Sequence, residues 1–77
     1  MPTILYEDGF AFYASDGSEP PHVHGRKGGA NAKWWLDPIR EQWSHGFKRR
    51  QQAAIRRIIT EYQGFLLDEW RRFFSEN

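Results

Sequence analysis

Two short runs of mostly hydrophobic residues, separated by a polar turn pair, lie near the start of the chain. TILYE (3–7) and FAFYAS (10–15) are rich in β-branched and aromatic residues, and Asp8-Gly9 separates them. Asp-Gly between two such runs is a strong hairpin signal, because both residues tolerate the positive φ angles of a two-residue turn. We therefore predict two antiparallel strands that end at Asp16-Gly17-Ser18.

A second hairpin is predicted after Pro20-Pro21. HVHGRK (22–27) and ANAKWWL (30–36) flank Gly28-Gly29, and Asp37-Pro38 ends the fourth strand. A two-residue turn at the glycines pairs His24 with Lys33 and His22 with Trp35. The next stretch, IREQWSHG (39–46), fits either a short helical turn or a fifth edge strand.

The hydrophobic period changes to three and four residues after Phe47. The first stripe consists of Ile55, Ile58, Ile59 and Tyr62. We expect Gly64 to interrupt the helix. A second stripe follows it and consists of Phe65, Leu66, Trp70, Phe73 and Phe74. We interpret both stripes as core. The chain is therefore predicted to be one α+β domain (1–77). A small antiparallel β-sheet of two hairpins (1–36) precedes one or two C-terminal α-helices (47–75) packed on one face.

Composition adds limits on class and location. A chain of 77 residues must build a dense core, and aromatic residues make up 17% of this one. The absence of cysteine excludes disulfides and thiolate metal ligands, and no signal peptide or apolar membrane span is apparent. We expect a cytoplasmic protein with no membrane partner.

Charge is distributed unevenly along the chain. Residues 22–57 contain nine Lys/Arg and two acids, whereas residues 1–21 contain four acids and no base. Such a basic zone can attract phosphate, although a solvated charged surface explains it equally well. Lys48, Arg49 and Arg50 at the start of the first helix are candidate RNA contacts, with a solvated helix face as the alternative.

The predicted register places both histidines on one face of the second hairpin, because side chains alternate along a strand. The core face would carry Val23, Gly25, Ala32, Trp34 and Leu36. The other face would carry His22, His24, Arg26, Asn31, Lys33 and Trp35.

The residue types on that second face suit phosphodiester chemistry. We expect both imidazoles to point outward and to act as general acid or base, with Lys33 assisting. Arg26 would contact phosphate, and Trp35 would stack on a base. The alternative without chemistry is an exposed polar strand face.

Metal binding by the same two histidines is a third interpretation. Zinc normally requires a third or fourth protein ligand, and the candidates Asp16, Glu19 and His45 are not fixed by any spacing. We therefore predict no metal and no other cofactor.

Several segments together resemble a known bacterial family. EPPHVH, AKWWLDP, the Ile-rich helix and LLDEWRRFF are similar to the small His-x-His proteins catalogued as domain of unknown function 4160. The resemblance maps the signature histidines onto His22 and His24, whereas Gly25 stands where a β-branched or aliphatic residue is usual. Members are commonly encoded beside a protein of the domain of unknown function 2442 type, and such pairs are regarded as type II toxin–antitoxin modules.

The resemblance implies the toxin of such a module, neutralised by a small cognate antitoxin. We expect it to act on RNA or translation through the His-x-His strand face, with metal-independent endoribonuclease activity as one mechanism. The alternatives are a non-enzymatic module that binds nucleic acid or protein, and a metal-binding protein. The sequence leaves homodimer formation open.

Overall fold

In a computed structural model, which describes residues 3–74, the chain forms a five-stranded antiparallel sheet followed by two helices. The strands are β1 (Thr3–Glu7), β2 (Phe10–Tyr13), β3 (His22–Lys27), β4 (Ala30–Leu36) and β5 (Ile39–His45). The helices are α1 (Arg49–Glu61) and α2 (Gln63–Phe73). The predicted α+β class is confirmed. Met1, Pro2 and Ser75, which belong to the predicted segments, lie outside the described residues.

The strands follow one another across the sheet in chain order. Glu7 pairs with Phe10 around Asp8-Gly9, and Lys27 pairs with Ala30 around Gly28-Gly29, so both predicted turns are confirmed. The β3–β4 register pairs His24 with Lys33, as the turn predicted. The ambiguous stretch after Pro38 is a fifth strand paired with β4.

One face of the sheet packs against the helices and forms the core. Side chains from β2, β3 and β4 meet the isoleucines of α1 and a leucine of α2 in a single buried cluster: Phe10, Phe12, Val23, Ala32, Trp34, Leu36, Ile55, Ile58, Ile59 and Leu66. Full burial of each large aliphatic or aromatic side chain contributes about 1.5–3 kcal/mol. The helices therefore stay on this face.

The break between the helices is at Tyr62, not at Gly64. Tyr62 has φ −105° and ψ 18°, yet its N–H donates to the Ile58 carbonyl at 2.9 Å and its carbonyl accepts from Leu66 N–H at 2.8 Å. Gly64 is the second residue of α2 and is exposed. The Gln63 side-chain amide donates to the Leu36 carbonyl at 2.7 Å, which ties this break to the end of β4.

The second aromatic stripe is only partly core, so this prediction was wrong for two residues. Leu66 is buried and Trp70 is half-buried, but Phe65 and Phe73 are 44% and 46% exposed. Phe65 lies about 100° around the helix from Leu66, whereas Phe73 is on the same side as Leu66 but is the last residue of α2. Among the described residues, neither helix is long and apolar enough to cross a bilayer.

Candidate functional site

The face of the sheet turned away from the helices carries the predicted site. We call it the open face. Strand pairing assigns its members: Tyr6, Ala11, Tyr13, His22, His24, Arg26, Asn31, Lys33, Trp35, Arg40, Trp43 and His45. Hydrophobic side chains on the opposite face of β2, β3 and β4 pack in the core. Rings and cations therefore share one surface.

Four rings form a row across the open face. The His24 ring stacks on Tyr13, with centroids 5.2 Å apart and planes 15° from parallel. Trp43 follows at 6.0 Å from His24, and His45 at 5.2 Å from Trp43. Tyr13, His24 and Trp43 are half-buried and His45 is exposed, so the row leaves ring surface accessible to a ligand.

The expectation that both imidazoles point into solvent is wrong for His22. Its ring does lie on the same face as His24, with centroids 5.5 Å apart, but it is 0% exposed and lies edge-on against Trp35 at 5.6 Å. The carbonyl of Pro20 can only accept, so His22 Nδ1 carries the proton of that 2.9 Å hydrogen bond. The chain before β3 therefore encloses His22, and its ring cannot contact a substrate.

Lys33 is paired rather than free. Its Nζ lies 2.5 Å from Glu19 Oε1 and 4.8 Å from the centroid of the Trp35 ring, and its side chain is 13% exposed. The carboxylate neutralises the charge that was expected to assist catalysis. The pair also places residue 19, from the loop before β3, against the open face.

His24 is the imidazole of the predicted pair that remains accessible. Partial burial lowers its pKa from the ordinary value of 6.5, and electrostatic interactions with His22 and Lys33 lower this pKa further, against smaller opposing effects of Glu19 and Asp16. Its neutral form is therefore favoured near neutral pH.

The free positive charge of the open face is carried by two arginines. Arg26 and Arg40 are exposed, and neither forms a salt bridge with any residue in the 3–74 range. The Arg26 guanidinium lies 5.6 Å from the centroid of Tyr13, at one end of the row. Trp35, across the strand pair from Arg40, is fixed by a 2.8 Å hydrogen bond from its Nε1 to Gln42 Oε1.

The structure does not bring the basic start of α1 to this surface. Lys48, Arg49 and Arg50 are exposed, but α1 packs on the core face, so they lie in the helix layer. The predicted RNA contacts are thus divided between the two sides of the sheet. Arg26 and Trp35 lie on the open face, and the three helix cations do not.

A metal centre receives little support from the geometry. His22 Nε2 lies 4.0 Å from Glu19 Oε1, but within residues 3–74 no group of three or more His, Asp or Glu side chains could surround an ion. Of the candidate third ligands, Glu19 pairs with Lys33, Asp16 accepts hydrogen bonds from Ser18, and His45 lies beside Trp43.

Comparison with protein families assigns the chain to a family. The model of the family described as domain of unknown function (DUF4160) matches residues 9–71, which is most of the chain. The chain belongs to the DUF4160 family. No curated protein and no solved structure matches it. The match covers β2 through most of α2, and therefore nearly all of the open face.

Sequence reasoning missed Tyr13, Arg40 and Trp43, and treated His45 only as a doubtful metal ligand. These residues join the site through the β2–β3 and β4–β5 pairings, which the predicted register did not cover. The second strand contained a signal for this. Tyr13, whose ring carries a hydroxyl group, is next to Phe12, whose ring is fully buried, so the two side chains point to opposite faces. Extending the period of two to β2 would have placed Tyr13 on the outer face.

Proposed function

We propose that the chain binds single-stranded RNA on its open face and thereby acts as the toxin of a two-protein module. The row of Tyr13, His24, Trp43 and His45 beside two unpaired arginines carries this proposal. A base that stacks on an aromatic side chain contributes about 1–3 kcal/mol. Guanidinium groups beside such a row can contact the phosphates of the same strand.

A single strand fits this surface better than a duplex. Bases in a duplex are stacked on one another, whereas unpaired bases can lie on protein rings and leave their edges free for hydrogen bonds. The row offers ring surfaces on three strands, β2, β3 and β5, and the free charge of the open face is modest because Glu19 neutralises Lys33. Stacking therefore contributes much of the affinity, and we expect a shallow salt dependence.

Binding is better supported than cleavage. Metal-independent cleavage requires a general base and a general acid at the reacting phosphate, and the enclosed ring of His22 leaves the expected pair with one accessible member. His24 is retained as the candidate base because its pKa is lowered. We assign His22 a positioning role, in which its buried ring supports Trp35 and His24.

The toxin assignment rests on the family resemblance, and expression in a bacterial host tests it. Induction of this chain alone should arrest growth, and co-expression of the neighbouring open reading frame should restore it, because an antitoxin would cover the open face. Normal growth on expression of this chain alone would refute the toxin proposal. Total RNA from the same cultures separates binding from cleavage.

Two matched variants connect toxicity to the open face. Tyr13→Ala with Trp43→Ala removes two rings of the row and should relieve growth arrest. Arg50→Ala removes an exposed cation from the helix layer and should leave the arrest intact. If the double variant, folded by circular dichroism, stays fully toxic while Arg50→Ala does not, the open face is not the active surface.

A further inference from the structure

A small cavity lies at one end of the open face, beside the turn between β4 and β5. Its volume is about 190 Å³, and its walls are Pro20, Trp35, Asp37, Pro38 and Arg40. A water molecule occupies about 30 Å³ in the liquid, so the cavity has room for a planar heterocycle. Trp35 belongs both to the cavity and to the open face, which makes the two surfaces continuous.

The apolar walls of the cavity are rigid. Two proline rings and an indole form them, and the indole is held by its hydrogen bond to Gln42 at 2.8 Å. His22 lies edge-on to the same indole at 5.6 Å, and Lys33 Nζ lies 4.8 Å from its centroid. A fixed aromatic wall lowers the entropy cost of stacking a flat ligand on it.

The polar groups of the cavity have opposite charge and are free. Asp37 and Arg40 are both exposed, and in the described part of the chain neither forms a salt bridge with the other or with a third residue. A carboxylate accepts two hydrogen bonds side by side, and a guanidinium donates two. The ligand that satisfies both must offer paired donors on one edge and paired acceptors on another.

We infer that this cavity is a nucleobase subsite of the RNA-binding face and that it selects guanine. Guanine offers N1–H and N2–H₂ to a carboxylate and O6 and N7 to a guanidinium. Adenine and cytosine each offer one amino group as donor, and uracil offers one N–H, so none of them satisfies both side chains in this way. The inference rests on the proposed function, because it specifies one base within the RNA that the open face binds.

Fluorescence anisotropy with labelled single-stranded RNA tests the selection. The probes are short uridine oligonucleotides that carry no substitution or a single guanosine, adenosine or cytidine, all at one salt concentration. We expect the guanosine probe to bind about ten-fold more tightly than the others, as a bidentate base contact allows. Equal affinity for all four probes, or preference for adenosine or cytidine, would overturn the guanine assignment and leave RNA binding intact. Absence of binding to every probe would overturn both proposals.

Charge-matched variants identify the cavity as the source of the preference. Asp37→Asn should abolish the guanosine preference, because an amide cannot accept from both guanine donors. Asp68→Asn removes the same charge from an exposed position on α2 and should keep the preference. Arg40→Lys should reduce the preference while preserving charge. A guanosine preference that survives both cavity variants would place the selection elsewhere and refute this assignment.

Discussion

The ring of His24 combines accessibility with a perturbed proton equilibrium. It stacks on Tyr13 at 5.2 Å and lies 6.0 Å from Trp43, so part of its surface has lost contact with water. Loss of hydration disfavours the imidazolium, and nearby positive charge adds to this effect. The depressed pKa therefore follows from the same stacking that forms the ring row.

Titration of the histidine ring protons by NMR checks this consequence. We expect His24 to titrate with a midpoint below 6.5, because folding favours its neutral form. A lowered pKa in the folded state means that the stabilising contribution is complete above pH 6.5 and is lost as pH falls through the folded pKa. The free energy of unfolding should consequently drop less between neutral and acidic pH in His24→Gln than in the parent chain. A His24 midpoint above 6.5 would contradict the description of this ring.

For His22, the sequence predicted the face of the sheet but not the burial of the side chain. The turn register correctly placed both histidines on the same face, since alternation along a strand requires only the period of two. Alternation does not indicate how deeply a side chain is buried. The burial comes from residues before β3. The Pro20 carbonyl accepts a hydrogen bond from the His22 ring, and Glu19 forms a salt bridge with Lys33. No local sequence pattern indicates that a loop folds over a strand in this way.

At the scale of elements, turns with short loops were predictable and irregular pairings were not. The Asp-Gly and Gly-Gly turns fix two hairpin registers because each closes over two residues. The secondary structure of the β5 stretch was ambiguous from the sequence because the β4–β5 register shifts between Lys33 and Trp34. The alternation of side chains along β5 therefore changes phase between Glu41 and Trp43. A bulge of this kind removes the regular period from which a strand is recognised.

Gly25 provides a test of packing within β3. A Cβ atom built at Gly25 would lie 3.3 Å from Cε1 of Phe12, whose side chain is fully buried, so there is no space for the branched carbons of valine. We expect Gly25→Val to lower the free energy of unfolding by about 1–3 kcal/mol through overpacking. Denaturant unfolding measures this change.

The control for that substitution is Gly29→Ala in the adjacent turn. A Cβ atom at Gly29 meets nothing within 4 Å, so its effect should stay within about 0.5 kcal/mol. Equal stability of Gly25→Val and the parent chain would mean that Phe12 can move aside, and that the core under β3 is looser than described.

At the scale of the whole molecule, the sheet separates two surfaces with different roles. The helices cover one face with isoleucine and leucine, and the other face retains rings and arginines. The asymmetric charge along the sequence did not predict this separation, because the basic residues of α1 and those of the strands belong to opposite layers. Their separation depends on which face the helices cover, which is a property of the assembled fold.

The four tryptophans report on the two faces independently. Trp35 and Trp43 lie on the open face, Trp34 is buried in the core at 2% exposure, and Trp70 packs against the core from α2. Each indole N–H gives its own signal in a proton–nitrogen NMR spectrum. A titration of the labelled chain with single-stranded RNA therefore distinguishes the two surfaces without any substitution.

That titration is the most direct test of RNA binding by the open face. We predict that the indole signals of Trp35 and Trp43 shift in a saturable manner, while those of Trp34 and Trp70 change little. Shifts confined to Trp34 and Trp70, or no shift of any indole at high RNA concentration, would contradict the assignment of the open face as the binding surface.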